Sequence, residues 1–155
     1  METKIFKSSE SFKLESGYSI ENLQIAYTDT GSAEGKKTIW VCHALSGNAD
    51  VFDWWSGLFG ENKLFNQNEY RIICANILGS CYGSSGPTNN NEFPIFSSLT
   101  MRDIVKAHVL LRRELRVSKI DILIGASIGG QQAIEWAIQE PFRIKKLILK
   151  RLSIL

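Results

Sequence analysis

The chain has 155 residues, enough for one domain with a substantial core, and its composition of 44% hydrophobic and 22% charged residues argues against intrinsic disorder. A net charge of +2, with no stripe of Lys and Arg, leaves no electrostatic footprint for nucleic acid. Three cysteines, Cys42, Cys74 and Cys81, form neither an even set nor a metal-ligand spacing, so a reduced cytoplasmic protein without a metal is expected. The start, Met1-Glu2-Thr3-Lys4-Ile5-Phe6, has no long apolar stretch after a basic segment, so no signal peptide is expected. No run approaches the ~20 apolar residues of a membrane span.

Alternation from Phe6 to Leu14, and again over Leu23-Gln24-Ile25-Ala26-Tyr27, predicts two strands in an antiparallel hairpin, with Ser16-Gly17 as turn residues between them. Residues 31–37 form a polar loop before Thr38-Ile39-Trp40-Val41-Cys42, a short apolar run with the profile of a buried parallel strand. Trp54-Trp55 lies in a helix-like segment and reads as core or interface. Tyr70 to Ala75 is a second buried strand, and Asn89-Asn90-Asn91 is a short polar loop. Thr100 caps a helix with Asp103 three residues on, and Ile104, Ala107, His108, Leu111 and Leu115 share one face of it. Ile120 to Ile124 is a third buried strand, a helix starts near Gln131, and Ile144 to Leu149 is a fourth parallel strand. Strands alternating with helices predict a doubly wound α/β sheet in a single domain.

The most telling residues are Gly125-Ala126-Ser127-Ile128-Gly129-Gly130, at the junction of the third buried strand and its helix. Strand, Gly-x-Ser-x-Gly, helix is the pattern of a nucleophile elbow in an α/β-hydrolase fold. The turn is so tight that the residues flanking the serine must be small, which Gly125 and Gly129 satisfy. No Lys follows, as a phosphate loop would need, and the run does not begin Gly-x-Gly as a dinucleotide fingerprint does. Ser127 is therefore the candidate nucleophile. His43-Ala44-Leu45-Ser46-Gly47 follows the first buried strand, where this fold places one donor of its oxyanion hole. By position the two donors are the backbone amides of Leu45 and Ile128. His43 sits on that loop and reads as its anchor, not as a base; His108, on an apolar helix face, reads as a buried hydrogen-bonded residue. Cys74 to Pro87 is a Gly- and Ser-rich stretch at the carboxyl edge of the sheet, either a ligand loop or a surface turn.

Taken together, these blocks resemble the homoserine O-acetyltransferase family. The matching residues are His43 to Gly47, Trp54-Trp55, Cys74 to Pro87, Thr100 to Asp103, and Gly125 to Trp136. Ala126 stands where the family often has Gly, Ile128 and Gln131 where it has Met, and Ser85 where it has Thr. The resemblance implies an α/β-hydrolase fold, a mostly parallel sheet with an N-terminal antiparallel hairpin. It also implies acetyl-CoA as acyl donor, L-homoserine as acceptor, an acyl-Ser127 intermediate in methionine biosynthesis, and no bound cofactor. The residues leave acetyl and succinyl donors open. Neither nucleic acid nor membrane is implied, and a homodimer is compatible with full-length members.

A serine nucleophile in this fold is followed along the chain by an Asp or Glu and then a His. After Ser127 this chain has no His and no Asp, and its two later carboxylates, Glu135 and Glu140, are in or just beyond the helix leaving the elbow. The expectation is an N-terminal part of one α/β-hydrolase domain, truncated after about the sixth strand and inactive alone. The alternatives are a general esterase of the same fold, a non-catalytic binding fragment, or half of a split enzyme. The final strand is expected to form an open sheet edge. Lys150 to Leu155 departs from the family pattern.

Overall fold

The computed structural model describes residues 1–31, 35–87 and 92–150. The Asn89–Asn91 loop and the tail from Arg151 lie outside the described residues. The chain order is β1 (Lys4–Lys7), β2 (Phe12–Lys13), β3 (Ser19–Ile20), β4 (Gln24–Asp29), β5 (Lys37–Cys42), α1 (Val51–Trp54) and β6 (Tyr70–Ala75). There follow α2 (Phe93–Ser97), α3 (Met101–Glu114), β7 (Ile122–Ala126), α4 (Ile128–Gln139) and β8 (Leu147–Lys150).

Six strands form one sheet in the order β1-β4-β6-β5-β7-β8. β6, β5, β7 and β8 run parallel, whereas β4 is antiparallel to both β6 and β1. The N-terminal antiparallel region is more divided than its pattern suggests. The predicted strand Phe6–Leu14 splits, so that β1 pairs with β4 while Phe12 and Lys13 pair with Ile20 and Ser19 in a separate two-stranded ribbon. The Ser16-Gly17 turn belongs to that ribbon, with Gly17 at φ +91°. The cause is burial: Phe12, Leu14 and Ile20 sink into the core under α3, while Ile5 on β1 stays 45% exposed.

Both faces of the parallel strands are covered, which is why they read as continuous apolar runs. On β5, Trp40 and Cys42 face α3 and α4 with Ile73, Leu111, Leu123 and Trp136. Ile39 and Val41 face the other way, where the segment from Val51 to Phe65 packs its aromatic rings. The predicted cap of α3 is present: the Thr100 hydroxyl accepts from the Asp103 N–H at 3.2 Å, and the Asp103 carboxylate accepts from the Thr100 N–H at 3.1 Å. Ile104, Ala107, His108 and Leu111 are buried on its inner face as the spacing requires. Helix α2 is not foreseen by the apolar pattern, although Pro94 in its first turn is a helix-start signal.

Among the described residues β8 pairs only with β7, and Leu147, Ile148 and Leu149 are 38%, 39% and 47% exposed. The sheet edge is open there, as expected.

Candidate active site

Ser127 occupies the single residue between β7 and α4, with φ +54° and ψ −125°. Side-chain-bearing residues rarely adopt such angles; holding one there costs of order 1–3 kcal/mol and persists only where the surroundings enforce it. Two contacts do so. A methyl group on Gly125 would collide with the Gly129 carbonyl and come within 2.8 Å of the Gly130 nitrogen. One on Gly129 would collide with the Cys42 carbonyl and come within 2.6 Å of the His43 oxygen. The first turn of α4 therefore lies directly on the carboxyl end of β5. This contact brings the serine and the His43–Gly47 loop, 80 positions apart in sequence, to one edge of the sheet.

The serine side chain is exposed and its hydroxyl makes no hydrogen bond among the described residues. Its N–H donates to the Lys150 carbonyl at 3.3 Å, which ties the turn to β8. Ile128 is the first residue of α4, so its N–H has no helical partner and sits at the positive end of the helix dipole. Leu45 is 73% exposed in a turn closed by the Gly47 N–H donating to the Ala44 carbonyl at 2.8 Å. Its own N–H donates to no protein atom among the described residues.

The chain has two histidines, and both are committed within the fold. His43 is buried; its Nδ1 lies 2.8 Å from the Ala44 carbonyl and its Nε2 accepts from the Ile77 N–H at 3.3 Å. That bonding assigns the Nδ1–H tautomer, and burial lowers the ring's pKa. His43 thus pins the His43–Gly47 loop to the end of β6. His108 is fully buried; its Nδ1 accepts from the Gln132 amide at 2.6 Å and its Nε2 faces the Asn76 carbonyl at 3.3 Å. Burial pushes its pKa down to about 4.

The His108 shift carries a stability prediction. The folded state keeps the ring neutral down to about pH 4, while an unfolded chain protonates it near 6.5. Between those values the unfolded state binds the extra proton, so stability falls as pH drops from 6.5 toward 4 and the loss is complete below 4. The effect amounts to about 3 kcal/mol. His43 acts with the same sign. Urea denaturation across this range should show the slope in the parent chain and lose most of it in His108→Gln. An unchanged slope in the variant would assign the proton elsewhere.

The later carboxylates turn away from the serine. Glu140 accepts from Arg112 at 2.9 and 3.1 Å and from the Trp136 indole at 2.9 Å. Glu135 lies 3.7 Å from Arg102 and accepts from Gln139 at 3.1 Å. The Gly- and Ser-rich stretch after β6 is not a loose surface turn, and Ser80, Cys81 and Gly83 to Pro87 line a cavity beside it. The Ser84 hydroxyl accepts from the Ala26 N–H at 3.1 Å, and the Ser85 hydroxyl accepts from the Gln24 N–H at 2.8 Å, lacing the loop onto β4. Gly83, at φ +94°, allows the close approach to Ala26. Gln132 and Asn76 are polar residues at buried positions that the motif reading passed over. For Gln132 the signal was available: it is a polar side chain beside the inward-facing Gly129, Ala133 and Trp136. All three cysteines are free, and burial raises the pKa of Cys42 and Cys74. Among the described residues no cluster of three or more His, Cys, Asp or Glu could hold a metal, and no helix is long and apolar enough to cross a membrane.

Comparison with known proteins agrees with this geometry. The family described as the alpha/beta hydrolase fold matches residues 37–151. A homoserine O-acetyltransferase of Chlorobaculum parvum is 45% identical over 147 residues, covering 90% of this chain and 41% of that protein. One from Cyclobacterium marinum is 42% identical, covering 96% and 45%. The chain thus spans less than half the length of these curated relatives. The crystal structure of a homoserine O-acetyltransferase from Staphylococcus aureus superposes with a TM-score of 0.82 at 33% identity, covering 96% of this chain and 46% of that one. An acetylester hydrolase from Corynebacterium glutamicum, at 24% identity and TM-score 0.79, covering 94% and 43%, shares the fold. The chain belongs to the family with the alpha/beta hydrolase fold and within it is similar to homoserine O-acetyltransferases.

Proposed function

We propose that this chain carries the nucleophilic part of a homoserine O-acyltransferase, with Ser127 as the acyl acceptor. The observation that carries the reading is the positive φ of Ser127, held between Gly125 and Gly129 at the start of α4. The Ser127 hydroxyl attacks the thioester carbonyl of acetyl-CoA, losing its proton to a base as the carbon–oxygen bond forms. The oxyanion lies between the Leu45 and Ile128 amides, each donor contributing about 3 kcal/mol to the transition state. Collapse expels the CoA thiolate, which takes up a proton and leaves acetyl-Ser127. The hydroxyl of L-homoserine then attacks that ester and regenerates the serine, a ping-pong transfer.

The base is not among these 155 residues. Both ring nitrogens of His43 and of His108 are occupied by the fold, and no histidine follows Ser127. The chain alone is therefore expected to accept an acyl group from an activated ester slowly and to hold it. The free cysteines fit a reducing cytoplasm, where acetyl-CoA and amino acids meet.

Incubation with a nitrophenyl acetate, followed by peptide mass spectrometry, tests the assignment. A stable acetyl group on the Ser127 peptide, lost in Ser127→Ala, is the expected result. Acetylation confined to lysines or Cys81, and equal in the variant, would overturn it.

A further inference from the structure

Among the described residues β8 is a parallel strand with neither face covered and its outer edge unpaired. Parallel strands are ordinarily buried on both faces. Leu147 and Leu149 lie on the α4 side, where Leu149 Cδ2 is 4.0 Å from the point a methyl on Gly130 would occupy. Ile148 and Lys150 lie on the other side, and the Lys150 ammonium stands 5.8 Å from the centre of the Trp55 ring. Beside the strand, α4 turns Ile134 and Ile138 to solvent one turn apart, and Phe142 just past its end is 93% exposed. An apolar helix stripe and an apolar strand edge thus lie side by side.

Hydrogen bonding fixes which backbone groups are free. The Lys146 carbonyl accepts from the Leu123 N–H at 2.9 Å and the Lys150 carbonyl from the Ser127 N–H at 3.3 Å, both on the β7 side. By the two-residue period of a strand, Leu147 and Leu149 point their N–H and C=O groups away from β7.

A filling partner must add a strand to this edge and a helix over the α4 stripe. A second copy does neither well. The antiparallel register that sets Leu147 against a second copy's Leu149 also sets Lys146 against its Lys150, and like charges directly opposite are destabilising. Helix α4 lies chiefly over β7, so the two copies' helices would stand three strand spacings, or ~14 Å, apart. Packed helices approach to about 8–10 Å. A chain whose parallel strand is joined to a crossover helix meets both requirements. This chain covers 41% of the Chlorobaculum parvum protein, so more than half of that relative has no counterpart here.

We propose that the β8 edge and the outer face of α4 dock a separate α/β polypeptide, equivalent to the part of the relatives without a counterpart in this chain. Its strand pairs in parallel with Leu147 and Leu149, and its helix covers Ile134 and Ile138. The choice of occupant rests on the acyltransferase reading, since this fold places its acid and its histidine after the serine. Docking therefore also brings a base to the elbow, whose Ser127 N–H is already bonded to β8.

The test co-expresses the full chain with the unmatched part of the Chlorobaculum parvum protein, and reads the mass of the purified species and the urea midpoint of the chain. A one-to-one complex with a raised midpoint is expected. Leu149→Pro removes an outward N–H and leaves the pairing with β7 intact, and Ile138→Glu puts a charge on the exposed stripe. Each should weaken the complex at least about tenfold without moving the free chain's midpoint. Leu149→Ala, which keeps the N–H, should weaken it less. Equal complex formation in Leu149→Pro and Ile138→Glu, or homodimers of the chain abolished by them, would overturn the proposal. So would amide exchange at residues 147–150 as fast as in the free chain, whether the two parts are co-expressed or joined by a flexible linker. CoA release is read separately: a complex without turnover would count against the acyltransferase reading and leave the docking standing.

Discussion

Gly129→Ala should destabilise the chain by about 3 kcal/mol or more, at the upper end of what overpacking a core does. The added methyl has nowhere to go. It meets the Cys42 and His43 carbonyls, which are backbone at the end of a central strand and cannot rotate aside. Relief requires lifting α4 from β5, which would also separate the serine from the His43–Gly47 loop. The neighbouring glycine provides the control. A methyl on Gly130 has its nearest neighbour at 3.6 Å, an ordinary contact, so Gly130→Ala should be neutral or gain up to about 1 kcal/mol from helix propensity. Urea midpoints of the two variants check the contrast. Equal midpoints would mean that the close packing of α4 on β5 does not set the turn.

Ser127→Gly should separate stability from chemistry. The serine holds φ +54° and ψ −125°, angles that glycine adopts without strain. Releasing 1–3 kcal/mol of strain, less the greater freedom glycine brings to the unfolded chain, predicts a net gain of about 1 kcal/mol. The same change removes the hydroxyl and should abolish acylation at the elbow. Ser127→Ala removes the hydroxyl but keeps the strain, so its stability should stay near that of the parent. A destabilised Ser127→Gly in thermal or urea unfolding would show that the serine angles carry no strain.

The parts of this architecture legible in the sequence are those set by neighbouring residues. Tyr70 to Ala75 is β6 to the residue, and Thr38 to Cys42 misses only the first residue of β5. The Thr100–Asp103 cap and the small residues around Ser127 were equally readable, because their geometry is fixed within four positions. Partners distant in sequence were not readable. Period-two alternation from Phe6 to Leu14 tells which side chains share a face but not that the stretch divides between two sheets. The lacing of Ser84 and Ser85 onto β4 spans about 60 positions, so nothing local announces it. The site followed the same rule. The elbow and the His43–Gly47 loop are legible as separate motifs, while their contact through Gly129 and Cys42 appears only in the fold.

The central claim is that the elbow is built but lacks an imidazole free to activate it. CoA release from acetyl-CoA in the presence of L-homoserine tests this most directly, with the purified chain and Ser127→Ala side by side. The account predicts no more than trace release from the parent chain. Sustained turnover at an ordinary enzyme rate, abolished by Ser127→Ala, would contradict it, because some group among these residues would then be taking the serine proton.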